Sequence, residues 1–168
     1  IGLQLLFKRD GTTTSGFVTG DTKESVAVIR GDGYTVNTYL RVTDPDGIVH
    51  YAHFPNGAAQ TADDPLEFGP DKRSLTDVLW NVRDYEWTFN RYTLPLDDRT
   101  GTWTWEIFYE DVNRPGVVLE SDETSYTVYP SSAFRIAGTL SEPPDTEAPL
   151  VLGKTPSAGA PTVPVGTT

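Results

Sequence analysis

The sequence predicts an all-β fold, an antiparallel β-sandwich of about seven to nine short strands followed by an extended, Pro-rich C-terminal tail. Three observations carry this expectation. Apolar and polar residues alternate at the two-residue period of a strand over several stretches. The 15 Gly and 13 Pro among 168 residues interrupt the chain too often for long helices. Aromatic residues are plentiful, with four Trp, eight Tyr and seven Phe, and many lie on the alternating stretches, where a half-buried pleated surface suits them.

The opening residues, IGLQLLF, are apolar and lack the basic start and small-residue cleavage site of a signal peptide, so Ile1 reads as a mature or trimmed end. Residues 1–16 are expected to form an N-terminal extension or edge strand ahead of a main domain over 17–130. Within that domain Ser25 to Arg30 reads as a strand, with Gly31-Asp32-Gly33 as its turn. From Tyr34 to Val42, Tyr34, Val36, Thr38, Leu40 and Val42 share one face. The strand ends at Asp44-Pro45-Asp46-Gly47, where Pro presets the turn and Gly supplies a positive φ. Ile48 to Phe54 returns as the second arm of a hairpin and stops at Pro55-Asn56-Gly57. Ser74 to Arg83 fits either a strand or one short helix, because Leu75, Val78, Leu79 and Val82 share a helical face while Val78, Trp80 and Val82 also alternate. Trp87 to Leu94 reads as a strand ended by Pro95. Thr102 to Glu110 alternates clearly, with Trp103, Trp105, Ile107 and Tyr109 inward and Phe108 out of pattern. Asn113 to Gly116 is a loop, Val117 to Glu120 adds a short strand, and Thr124 to Tyr129 is the partner of the aromatic strand. Residues 131–147 form a Pro-rich linker or, through Phe134, Ile136 and Leu140, an added edge strand.

Two groups of residues carry a family resemblance. Asp145, Thr146, Ala148 and Pro149, then Thr155, Pro156, Gly159 and Ala160, then Val163-Pro164-Val165-Gly166-Thr167-Thr168 resemble the linker, first strand and first turn of bacterial Ig-like domains of the surface-layer and adhesin type. The DPDG turn after a long strand, with the GTWTW run before a closing one, is similar to Ig-like and fibronectin-like modules of bacterial surface proteins. The resemblance implies an Ig-like sandwich over 17–130. It also implies that 148–168 is the incomplete start of a second Ig-like domain, and that the chain is one piece of a larger modular secreted protein. The Cys-Trp-Cys signature of antibody domains is absent, so the likeness is architectural.

Composition removes several classes of function. With 13 basic against 24 acidic residues the net charge is −11, and Lys and Arg are not clustered, which argues against binding nucleic-acid phosphates. No apolar run reaches the roughly 18 residues of a membrane-spanning helix. There is no Cys and no Met, which excludes disulfides, thiolate metal sites and cysteine nucleophiles.

Candidate chemistry is sparse. His50 and His53 lie on opposite faces of a strand and cannot chelate one metal together; ordinary surface or edge histidines are the plainer reading. No pair of carboxylates is positioned by sequence for glycoside hydrolysis, and no catalytic residue is nominated. The acidic turns would suit calcium, with Asp44 and Asp46 at one turn and Asp63, Asp64 and Asp71 in the long loop as ligands, against the plainer reading of solvated turns. No other cofactor is expected. Trp103 and Trp105 read as core. Trp80 and Trp87, flanked by Asn81, Arg83, Asp84 and Arg91, are the nominees for a carbohydrate-stacking site. The expected function is therefore a non-catalytic structural module of an extracellular or cell-surface protein, in a surface layer, sheath, fibre or adhesin stalk. Its expected partners are other copies of itself or neighbouring Ig-like domains, joined by strand addition through its tail or its apolar start. The alternative is a carbohydrate-binding module of a multidomain secreted enzyme, with glycans as partners.

Overall fold

A computed structural model describes residues 2–57, 61–130, 134–136 and 139–141. The tail over 148–168 and most of the linker over 131–147 lie outside the described residues. In chain order the strands are β1 (Gly2–Arg9), β2 (Thr12–Thr13), β3 (Gly16–Val18), β4 (Thr22–Thr43), β5 (Val49–His53), β6 (Glu67–Gly69), β7 (Trp80–Thr93), β8 (Gly101–Asp111), β9 (Val118–Tyr129), β10 (Phe134–Ile136) and β11 (Thr139–Ser141). No helix occurs among the described residues, and the all-β class is what the molecule has.

The strand alternation translates directly into burial. On the second half of β4, Val36, Thr38, Leu40 and Val42 are buried while Thr35, Asn37, Tyr39 and Arg41 are not. On β8, Trp105, Ile107 and Tyr109 face the core, and Trp103 packs against it. Phe108 points the other way and stacks on Tyr39, with ring centroids 5.3 Å apart. The Asp44–Gly47 turn closes as expected: Gly47 has φ 83° and its N–H donates to the Asp44 carbonyl at 2.9 Å. The β4–β5 hairpin and the β8–β9 pairing, with Thr102 opposite Thr127, also follow the sequence.

The arrangement of the strands differs from the expected antiparallel sandwich. The first nine strands form one hydrogen-bonded sheet, and β3 runs parallel to β9. The reason lies in β4. Gly31-Asp32-Gly33 is not a turn; the strand runs on through it for 22 residues with register shifts on either side of Asp32. Its first half lies between β1 and β7, and its second half between β8 and β5. Such irregularities bend a strand and increase its twist. Gly31 permits the bend because a methyl there would overlap the Val82 side chain and come within 2.8 Å of the Val82 carbonyl oxygen. The sheet consequently curls until β1 lies beside β9. Across that seam the Leu5 N–H donates to the Asp122 carboxylate at 2.7 Å, and the Thr124 hydroxyl donates to the Leu5 carbonyl at 3.0 Å.

Three local readings change with this. Gly2–Arg9 pairs with β4 from Gly2–Arg30 to Lys8–Glu24 and buries Leu5 and Phe7, so the opening strand is integral to the sheet. Ser74 to Leu79 is neither strand nor helix: Leu75 is buried, Val78 and Leu79 are exposed, and the strand starts at Trp80. β10 pairs with β11 alone, as a separate two-stranded ladder.

Candidate binding cavity

Curling of the sheet brings together residues that are distant along the strands. Lys23 and Val42 are 19 positions apart on β4, which would place them about 60 Å apart on a straight strand. Both line the same cavity of about 540 Å³. The end of β7 (Asn90 to Tyr92), the start of β8 (Trp103, Trp105) and Tyr126 of β9 complete its walls, and the 63–68 loop stands at its side.

Lys23 is the unusual residue of this site. It is 2% exposed and belongs to the inward face that continues through Ser25, Ala27 and Ile29. Its Nζ donates to the Ser25 hydroxyl at 2.9 Å and stands 4.1 Å from the centroid of the Trp105 ring, with Tyr126 at 5.0 Å and Phe7 at 5.1 Å. Aromatic faces favour the charged amine. Burial opposes it more strongly and lowers its pKa from 10.5 to about 7, with Asp98 pulling the other way. Beside it, Asn90 is directly opposite Ser25 across the β4–β7 ladder and is 6% exposed. Asn90 also lines the cavity.

The mouth is built from paired charges. Asp44 is buried, and its Oδ1 accepts from the Asp46 N–H at 2.9 Å and the Ile48 N–H at 3.0 Å. Its Oδ2 meets His50 Nε2 at 3.0 Å and the Arg99 guanidinium at 3.2 Å. The His50 bond, the two backbone N–H groups and Arg99 hold the carboxyl at about 2, below its ordinary 3.8. Arg91 bridges Glu24, at 3.0 Å, and Asp63, at 3.2 Å.

Of the residues nominated for calcium, Asp44, Asp46, Asp63 and Asp64 have contacts of their own. Asp44 organises the turn that contains it, Asp46 pairs with Arg99 at 3.2 Å, Asp63 pairs with Arg91, and Asp64 accepts from the Thr61 N–H at 2.9 Å. Among the described residues no group of three or more His, Asp or Glu is placed to share a metal. His50 is tied to Asp44. His53 is buried and meets Glu67 at 3.2 Å on a strand paired on both sides, so it is neither the surface nor the edge histidine expected of it.

Trp80 and Trp87 meet edge to face, with centroids 5.2 Å apart and planes at 73°. Trp80 also packs on Tyr109, and Trp87 on Phe54 and Phe89, so both rings extend the core cluster. They border a shallow hollow of about 470 Å³ but present no flat two-ring platform. Trp105 is in the core as expected, whereas Trp103 is partly buried and borders the cavity.

Lys23, Asn90 and Arg99 were not singled out from the sequence. A signal for Lys23 was present: reading the strand two residues earlier puts Lys23 on the parity of Ser25, Ala27 and Ile29, a lysine on the inward face. No protein-family model matches the chain, and no curated protein matches it either.

Proposed function

We propose that the chain is a non-catalytic structural module of a secreted or cell-surface protein, which joins neighbouring copies of itself by strand addition. The observation that carries this reading is the edge of β7. This 14-residue strand pairs with β4 along one side and with no other strand among the described residues. The Arg91 N–H donates to the Ala62 carbonyl at 2.7 Å, and the stretch of edge before it is a template for another strand. It is flanked by exposed apolar side chains, with Val78 and Leu79 just before it and Tyr85 within it. Its exposed Arg83, Asp84 and Glu86 would select a partner of matching charge. The resemblance of 148–168 to the start of an Ig-like domain supports the same reading, since modular surface proteins string such domains together. The carbohydrate alternative at Trp80 and Trp87 has less support, because neither ring pair nor hollow offers a stacking plane.

The test is assembly. Sedimentation of the purified chain over a wide concentration range is expected to show self-association that Tyr85→Lys abolishes, as a lysine on a free edge discourages pairing. A chain that stays monomeric at the highest concentration, or associates equally well with Tyr85→Lys, removes the assembly role. Release of the protein from intact cells by external protease tests the location.

A further inference from the structure

The buried charges of this molecule are treated unequally. Among the described residues three carboxylates are buried, and each has a cationic partner: Asp44 has Arg99, Glu110 has Lys72, and Asp111 has Arg114. Lys23 is the only buried Lys or Arg among them, and no carboxylate lies within ion-pair distance of it. A buried ion without a counter-ion is costly, and a fold that pairs its other buried charges leaves this one over a cavity. The neighbouring polar groups are donors in surplus. The Ser25 hydroxyl already accepts from Lys23, Asn90 lines the cavity beside it, and the Trp103 indole N–H in the wall is buried with no acceptor among the described residues.

We propose that this cavity binds a small monocarboxylate with an apolar or aromatic body, whose carboxylate supplies the missing counter-ion of Lys23 and accepts from Asn90. The body would lie against Trp103, Leu66 and Phe68, which also line the cavity. A volume of about 540 Å³ is in the range of small-molecule sites. The charged groups facing the amine are consistent with a ligand of single negative charge. Asp98 is the carboxylate that acts on Lys23 through space, Arg99 is shared by Asp44 and Asp46, Arg91 is shared by Glu24 and Asp63, Asp64 accepts from the Thr61 N–H of its own loop, and Tyr92 and Tyr126 stay protonated because burial raises both phenols. A dianion or a phosphate would meet the acidic mouth without compensation. Binding converts the amine to an ammonium, so it takes up a proton wherever Lys23 is neutral in the free protein.

The experiment is titration calorimetry of the whole chain with benzoate and hexanoate, alongside the neutral isosteres benzamide and hexanamide. The carboxylates are expected to bind about tenfold or more tightly than the amides. Their affinity is expected to fall on going from about pH 7 to about pH 9, with a buffer-dependent heat that reports proton uptake. Lys23→Met, which keeps the packing, is expected to lose about tenfold or more in affinity, and Asn90→Leu a smaller factor. Circular dichroism of both variants separates loss of the site from loss of the fold. The proposal is overturned if the amides bind as well as the acids, if Lys23→Met binds the acids unchanged, if only neutral sugars bind, or if no heat is seen at about 10 mM ligand, a level at which even a millimolar site would be filled.

Discussion

Replacing Lys23 by Met should stabilise the free protein, and the pH dependence of the gain tests the environment assigned to the amine. In the unfolded chain this lysine titrates at 10.5, and burial brings it to about 7 in the native state. The gap corresponds to about 5 kcal/mol of differential interaction, at about 1.4 kcal/mol for each tenfold change. The group is 2% exposed, so solvent does not screen this cost. Between the two values the unfolded chain holds the proton more often than the folded one, and stability therefore rises with pH across that window. Below about pH 7 both states are protonated and the slope vanishes; above 10.5 both are neutral and the amine no longer disfavours folding. From about pH 7 to about pH 9 the wild-type chain should gain about 1–2 kcal/mol, the smaller value applying if the Trp105 face returns its full cation–π attraction of about 2 kcal/mol. Lys23→Met removes the amine and leaves a side chain of similar shape in an aromatic surround. At pH 7 it should be more stable by about 2–4 kcal/mol, after allowing about 1 kcal/mol for the hydrogen bond lost by Ser25. The assay is urea unfolding followed by tryptophan fluorescence, for both chains at both pH values. Parallel pH profiles for the two chains, or a Lys23→Met protein less stable at pH 7, would refute the reasoning, because either result means that the amine is hydrated or already paired.

Three further perturbations examine the frame around the cavity. Gly31→Ala forces a methyl into Val82 at the bend of β4 and should lower stability by about 1–3 kcal/mol in the same unfolding assay, with a reduced cooperativity that a surface alanine would not produce. Phe89→Ala empties a fully buried position between Trp87 and Trp105 and should cost about 3–5 kcal/mol. Asp44 titrates at about 2 in the folded protein and near 3.8 unfolded, so its contribution is present above about pH 4 and is lost as pH falls towards 2. Asp44→Asn should therefore lose stability at neutral pH and flatten the acid limb of the unfolding midpoint; an acid limb identical to that of the wild type would show that the turn is not held by this carboxylate.

Much of the framework could be read along the chain, because its causes are local. The inward parity of Val36, Leu40 and Val42, the reversal at Gly47 and the pairing of the two aromatic strands follow from the two-residue pleat and from glycine's tolerance of positive φ. One local signal went unread. Asp10-Gly11, with φ of 52° and 79°, is a two-residue hairpin loop between Arg9 and Thr12, and the Asp-Gly pair announces it. Gly31-Asp32-Gly33 misled for the opposite reason: the same glycines that make a turn also permit a bulge and a close approach, and the choice depends on Val82, about fifty residues away. The surroundings of the nominated calcium carboxylates were hidden for a similar reason. Asp44 and Asp63 carry the right oxygens, but which cation meets them depends on Arg99 and Arg91, which come from later parts of the chain.

By itself, then, the sequence determined the strands, their inward faces and the turns that end them, since each rests on sterics and hydrophobic pattern within a few residues. Only the tertiary structure decided that β4 bends back on itself, that β1 comes to lie beside β9, and that Lys23 is enclosed by Trp105, Tyr126 and Phe7. Those features depend on which distant strands share hydrogen bonds, and the charge state of a lysine depends on the dielectric that those strands create around it.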